Sequence, residues 1–174
     1  MAIRTACVIP VSNVPDDLEV FRKKNIHHPG SDFPLHTTLI PEFFDYEDFT
    51  AEVKARLRKL ANEFEPFEYS ALPLCSFPTT RVLWLCPSPQ TPFEKITKSL
   101  CLEFPEFRCG NTYPIFHMTI AYQYEEGESE SLAKSFIEQF QSYLPFCFVA
   151  NQLQIYGEFD TTWKHIQTLP FGKR

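Results

Sequence analysis

No stretch of the chain approaches the roughly 20 consecutive apolar residues that a membrane-crossing helix needs. The opening "MAIRTACVIPVSNVPDD" has neither the long apolar region nor the small-residue cleavage site of a secretion signal, so the expected location is cytoplasmic. The six cysteines show no C-x-x-C pair and no finger-like spacing with histidine. Neither a zinc site nor a disulfide framework is expected, and Cys7, Cys75, Cys86, Cys101, Cys109 and Cys147 are read as buried free thiols. An excess of positive charge is missing too: 16 Lys and Arg face 22 Asp and Glu, a net charge of −6. A protein that tracks many phosphates needs a basic face, because counterion release at each contact drives its affinity. Long duplex nucleic acid is therefore a poor partner. Any nucleic-acid ligand should be small or held by a few local cations.

What is present is a globular composition. Of the 174 residues 44% are hydrophobic, and 18 Phe suggest a core filled largely by aromatic rings. The length fits one domain, residues 1–174, with no sign of an obligate protein partner.

Along the chain, "TACVIPVS" (5–12) reads as a buried strand. "VPDDLEVFRKKN" follows with an early proline, acids in its first turn and cations in its last, the signals that open and close a helix. A loop then leads to a strand around His36. Residues 45–64 predict a helix, with Phe49, Val53, Leu57, Leu60 and Phe64 at helical spacing. "FEYSALPLCSF" and "RVLWLCPS", separated by "PTT", predict a hairpin. Thr91-Pro92-Phe93-Glu94 predicts a capping box opening a helix that runs to Phe104 and is stopped by Pro105. A loop, "EFRCGNTYP", leads into a strand around His117. An acidic entrance, "EEGESES", introduces a helix using Leu132, Phe136, Phe140 and Tyr143. The chain closes with two expected strands, "FCFVANQLQIYGEF" and "WKHIQTLPF".

The resulting order, β-α-β-α-β-β-α-β-α-β-β, repeats itself. Arg4 and Pro15 recur as Arg81 and Pro92, His36 recurs as His117, and "FPTTRVLW" (77–84) resembles "FDTTWKHI" (159–166), all at similar offsets. The expected fold is α+β and bilobal. Two antiparallel sheets are related by a pseudo-twofold axis, with helices packed outside, a cleft between the sheets and chain segments interleaved between the lobes.

The repeated histidines carry the functional signal. "PLHTTLIP" (34–41) and "PIFHMTIAY" (114–122) each place a histidine two positions before a threonine in a strand. Side chains at i and i+2 share a face of a strand, so His36 and Thr38 point one way, as do His117 and Thr119. His27, His28 and His165 lack a Ser or Thr at that position. With ordinary residue frequencies, two of five histidines would pass the H-x-T-aliphatic filter by chance in only ~1–2% of sequences. The competing reading is two half-buried histidines, each bonded to a neighbour on its sheet.

The paired "HTTLIPEF" and "HMTIAY" resemble the H-x-T/S-aliphatic motifs of the two-histidine (2H) phosphoesterase superfamily, which includes 2′-5′ RNA ligase-like proteins and cyclic phosphodiesterases. The resemblance extends over length, element order and duplication. It implies that His36 and His117 are catalytic, that Thr38 and Thr119 bind phosphate, and that no metal or cofactor is required. Many members carry an arginine shortly after the second motif, where this chain has Tyr122, and a proline before its histidine, where this chain has Phe116.

Two imidazoles can perform the proton transfers of phosphodiester cleavage because either form is accessible near neutrality. The expected activity is hydrolysis of a small ribonucleotide phosphodiester: a 2′,3′-cyclic phosphate, a 2′-5′ linkage or a cyclic dinucleotide. The alternatives are RNA 2′-5′ ligation by the reverse chemistry, or a module that binds a nucleotide or RNA end without turnover. Candidate substrate contacts are Phe33, Tyr113 and Tyr122, as rings that stack on a base, and Arg81 and Lys164, as phosphate cations.

Overall fold

A computed structural model describes residues 3–27, 33–108 and 115–172. Among these the chain forms β1 (Thr5–Pro10), α1 (Asp16–Asn25), β2 (His36–Ile40), a single 3-10 turn (Tyr46–Asp48) and α2 (Ala51–Ala61). The hairpin strands β3 (Phe67–Phe77) and β4 (Val82–Ser88) follow, then α3 (Thr91–Glu103), β5 (Met118–Tyr122) and α4 (Ser129–Phe140). The last three strands are β6 (Phe146–Ala150), β7 (Gln152–Phe159) and β8 (Thr162–Pro170). They assemble as two antiparallel four-stranded sheets, ordered β2-β1-β7-β8 and β5-β4-β3-β6.

The duplication is visible in that order. The unit β1–α1–β2 is repeated as β4–α3–β5, each giving a central strand, a helix and an edge strand. The helices are exchanged across the axis: α1 packs on β5 and α3 packs on β2. Both edge strands, each ending one sheet, approach one another where the sheets meet. One core runs through both lobes and is aromatic, as the phenylalanine content suggests. Phe43, Phe44, Phe93, Phe104, Phe116, Phe136 and Phe140 are all fully buried. They meet largely edge to face or tilted, for example Phe43 on Phe104 at 5.7 Å and 90°, the geometry that ring quadrupoles favour.

Several local expectations are corrected. The helix expected over 45–64 is shorter, because the Thr50 hydroxyl accepts the Val53 amide at 3.3 Å and starts α2 at Ala51. The capping box at Thr91 does not form. Thr91 is already helical, Gln90 holds the cap position, and its side-chain amide turns to Cys86 Sγ at 3.1 Å. Tyr143 lies beyond the end of α4 and is exposed. The long closing strand is broken at Asn151, where the chain leaves the second sheet as β6 and enters the first as β7.

The "FPTTRVLW"/"FDTTWKHI" match is not a repeat of place. The β3–β4 hairpin joins the two central strands of its sheet, whereas β7–β8 joins a central strand to an edge. What the two stretches share is turn chemistry: Arg81, Asp160 and Thr161 all adopt positive φ. Among the described cysteines only Cys7 is buried; Cys147 is exposed, and Cys109 lies outside the described residues. No described helix is long and apolar enough to cross a membrane.

Candidate active site

The two H-x-T segments sit where the sheets meet. His36 opens β2, and His117 immediately precedes β5. Their rings are fixed in the same way in both lobes. His36 Nδ1 lies 2.6 Å from the Pro34 carbonyl oxygen, and His117 Nδ1 lies 2.6 Å from that of Ile115. A carbonyl can only accept, so each Nδ1 carries a proton and each Nε2 is the ring atom left to exchange one. Thr38 pairs with Val8, and Thr119 with Trp84, so each hydroxyl shares its histidine's face.

The walls differ in how they enclose their rings. Phe33 stacks on His36 with centroids 3.9 Å apart and planes at 25°, and on its other side it stacks against Trp163 at 5.3 Å. Around His117, Phe77 and Trp84 approach edge-on at 5.4 and 5.8 Å. Burial pushes the His36 pKa from 6.5 down to about 4; the Pro34 carbonyl opposes this, while the Arg22 charge and then the His117 charge add to it. Solvent still reaches part of His36, so its enclosure comes from the protein packed tightly around it rather than from a sealed cavity. His36 opens one, and His117 directly precedes the other, of the two edge strands that meet between the sheets.

Arg22 connects the two motifs, and the sequence reading passed over it as one of the cations in the last turn of α1. Its guanidinium is 3% exposed. Nε donates to the Thr119 carbonyl at 3.1 Å, Nη2 to the Phe33 carbonyl at 3.1 Å, and Nη1 to both Glu19 carboxylate oxygens at 2.8 Å. One side chain thus ties the backbone of the second motif to the segment that enters the first. A signal for it was available: Arg22 lies four residues after Leu18 on the buried face of α1, an unusual place for a charge unless it has fixed partners.

The other candidates are scattered. Phe33 belongs to the wall over His36. Tyr122 pairs with Val82, and its carbonyl accepts the His27 amide at 3.1 Å. Arg81 is exposed in the β3–β4 turn, where its carbonyl accepts the Gln123 amide at 2.9 Å. The Lys164 ammonium lies 5.6 Å from the Phe159 ring centroid, on the face of β8 opposite its neighbours Trp163 and His165. Tyr113 lies outside the described residues. No group of three or more His, Cys, Asp or Glu able to hold a metal occurs among the described residues.

The sequence model of the 2′-5′ RNA ligase superfamily matches residues 10–158, nearly the whole chain and both H-x-T segments. The chain belongs to the 2′-5′ RNA ligase superfamily. The duplicated architecture of this superfamily recurs in solved structures of low sequence identity. A crystal structure of a phosphoesterase superposes with a TM-score of 0.62 at 13% identity, covering 99% of this chain and 100% of the other. Escherichia coli LigT with 3′-AMP gives 0.61 at 14% identity, with the same coverage, and LigT with NADP+ gives 0.60 at 14%. Those likenesses show the fold. No curated protein matches this superfamily member in sequence.

Proposed function

We propose that the protein is a phosphodiesterase that needs no metal and hydrolyses a small ribonucleotide phosphodiester involving the 2′ oxygen. The observation that carries the reading is the matched pair of imidazoles, one per sheet, each with its Nδ1 proton bound to a backbone carbonyl and its Nε2 free to exchange protons. The relatives support a ligand of this class: LigT has been crystallised with 3′-AMP and with phosphate.

The asymmetry of the walls supports a division of roles. His36 stays neutral at physiological pH and takes a proton from water. The water oxygen bonds to phosphorus, the bond from phosphorus to the leaving ribose oxygen breaks, and His117 gives that oxygen a proton. A 2′,3′-cyclic phosphate is thereby opened to a phosphomonoester, with His36 left protonated and His117 neutral. Thr38 and Thr119 donate hydroxyl hydrogen bonds to the non-bridging oxygens, where charge builds as the new bond forms. Arg22, with its donors directed at protein oxygens, acts as a positioning residue for both motifs.

The test is a panel of 2′,3′-cyclic mononucleotides, 2′-5′ and 3′-5′ dinucleotides and cyclic dinucleotides, with excess chelator throughout. Wild-type protein should cleave at least one 2′-linked class, and His36→Ala or His117→Ala should lower kcat/KM by about 10²–10⁴-fold. Turnover that survives both replacements would remove the assignment. Because the superfamily is named for ligation, the same labelled substrates should be assayed for end joining; net joining would reverse the proposed direction.

A further inference from the structure

Beyond the two motifs, a third polar constellation lies on the first sheet, and the phosphate chemistry does not use it. In the β7–β8 ladder Ile155 pairs with Gln167 while Tyr156 pairs with His165, so Ile166 is an extra residue, a bulge in β8. The bulge turns His165 to the same side as Thr168, three positions away, and His165 Nε2 lies 2.9 Å from Thr168 Oγ1. Opposite them, the Tyr156 hydroxyl donates to Gln154 Oε1 at 3.1 Å, and Gln154 Nε2 reaches Thr168 Oγ1 at 3.5 Å. Four side chains from two strands form one connected network.

The ladder registers fix where this network faces. Val8 pairs with Thr38 on one side and with Gln154 on the other, and Gln154 pairs with Thr168. Thr38, Val8, Gln154 and Thr168 therefore form one row across the sheet, on the face that carries the first motif. Two strand spacings put Gln154 about 10 Å from Thr38. Between them, Val8 is fully covered beneath the cluster formed by Tyr156, Phe33 and Trp163.

The Tyr156 hydroxyl and Thr168 hold the Gln154 amide in one orientation. That leaves an amide N–H and a lone pair on Oε1 without a partner among the described contacts. A donor beside an acceptor is the pattern that the hydrogen-bonding edge of a nucleobase matches, and aromatic side chains stack on its faces. His165, largely exposed, joins the amide through Thr168, and the half-buried Trp163 lies farther along the same face of β8, opposite Glu158. We infer that Gln154, held by Tyr156 and Thr168, with His165 beside Thr168 and Trp163 farther along the same face, is the base-reading subsite for a nucleotide whose phosphate lies between His36 and His117. The inference rests on the phosphodiesterase reading for the position of the phosphate, and binding tests it separately from turnover.

The experiment is calorimetric titration of the full chain with the four nucleoside 2′-monophosphates and with inorganic phosphate, for wild type and Gln154→Ala. Wild type should discriminate best from worst base by at least about tenfold, as a paired amide allows. Gln154→Ala should compress that spread to within about threefold, and Gln154→Glu, which replaces the donor with an acceptor, should reorder the ranking. Thr168→Val, which loosens the amide without removing it, gives the same compression in weaker form and serves if the first variant fails to fold. Equal wild-type affinity for all four bases would overturn the inference. So would an unchanged spread in Gln154→Ala, or an equal loss for every ligand including inorganic phosphate. Base-selective binding without cleavage would remove the hydrolytic reading and leave the subsite standing; cleavage without base selectivity would do the reverse.

Discussion

At the scale of single residues, the difference between the two histidines is environmental, since each is held through Nδ1 in the same way. His36 binds a proton more readily in the unfolded chain, near pH 6.5, than in the folded one, near pH 4. Between those values the unfolded state holds more protons, so stability is complete above about 6.5 and falls as the pH drops toward 4. The shift corresponds to about 3 kcal/mol in the limit, reduced by whatever water enters the cleft. An NMR titration should find the His36 midpoint well below that of a free imidazole, and denaturant melts of His36→Gln should lose the wild type's weakening between pH 6.5 and 4. Arg22→Met should raise the His36 midpoint, because a nearby cation is gone, and should destabilise the fold by about 2–4 kcal/mol, because the Thr119 and Phe33 carbonyls lose their donor. Urea melts with the same titration check both. His36, Thr38, His117 and Thr119 were legible because strand alternation is local. Arg22 was not, because its partners are the Phe33 and Thr119 carbonyls, 11 and 97 residues away.

At the scale of elements, the order of strands and helices followed from periodicity and from proline and acid signals, while the ends of the elements were set by individual side chains. Thr50, and not the acidic run before it, starts α2, so Thr50→Ala should cost about 1 kcal/mol in thermal or urea melts. Thr91 had every mark of a cap, yet the residue before it took that place, its amide drawn to Cys86. Gly157 carries a constraint that no local sequence pattern marks. A Cβ there would lie 2.8 Å from Ile166 Cδ1 and 2.8 Å from Phe159 Cε2, side chains of the bulge and of the hairpin end. Gly157→Ala should therefore destabilise by about 1–3 kcal/mol, and its loosening of the hairpin should show as faster hydrogen exchange along β8.

At the scale of the whole molecule, the duplication could be read but not which strands are exchanged. Sequence repeats suggested two lobes with interleaved segments, without naming the strands that cross. In the structure β3, which follows the first motif, pairs with β4 in the second sheet, and the first sheet is completed by β7 and β8 from the end of the chain. Pairing partners so far apart leave no local mark. The consequence can be measured: residues 1–88 expressed alone hold β1 and β2 without β7, and hold the β3–β4 hairpin without β5 or β6. Such a fragment should show little native circular dichroism and no cooperative melt, whereas two lobes that each closed on themselves would give a folded half.

The crossing at Asn151 has a bearing on biosynthesis. Val8 leaves the ribosome long before its second ladder partner, Gln154. The wall that holds His36 therefore waits until β7 and β8 have been made, with one edge of β1 unpaired in the meantime. A nascent chain stalled before the final hairpin should be a ready client for chaperones, and nucleotide binding should appear only after release.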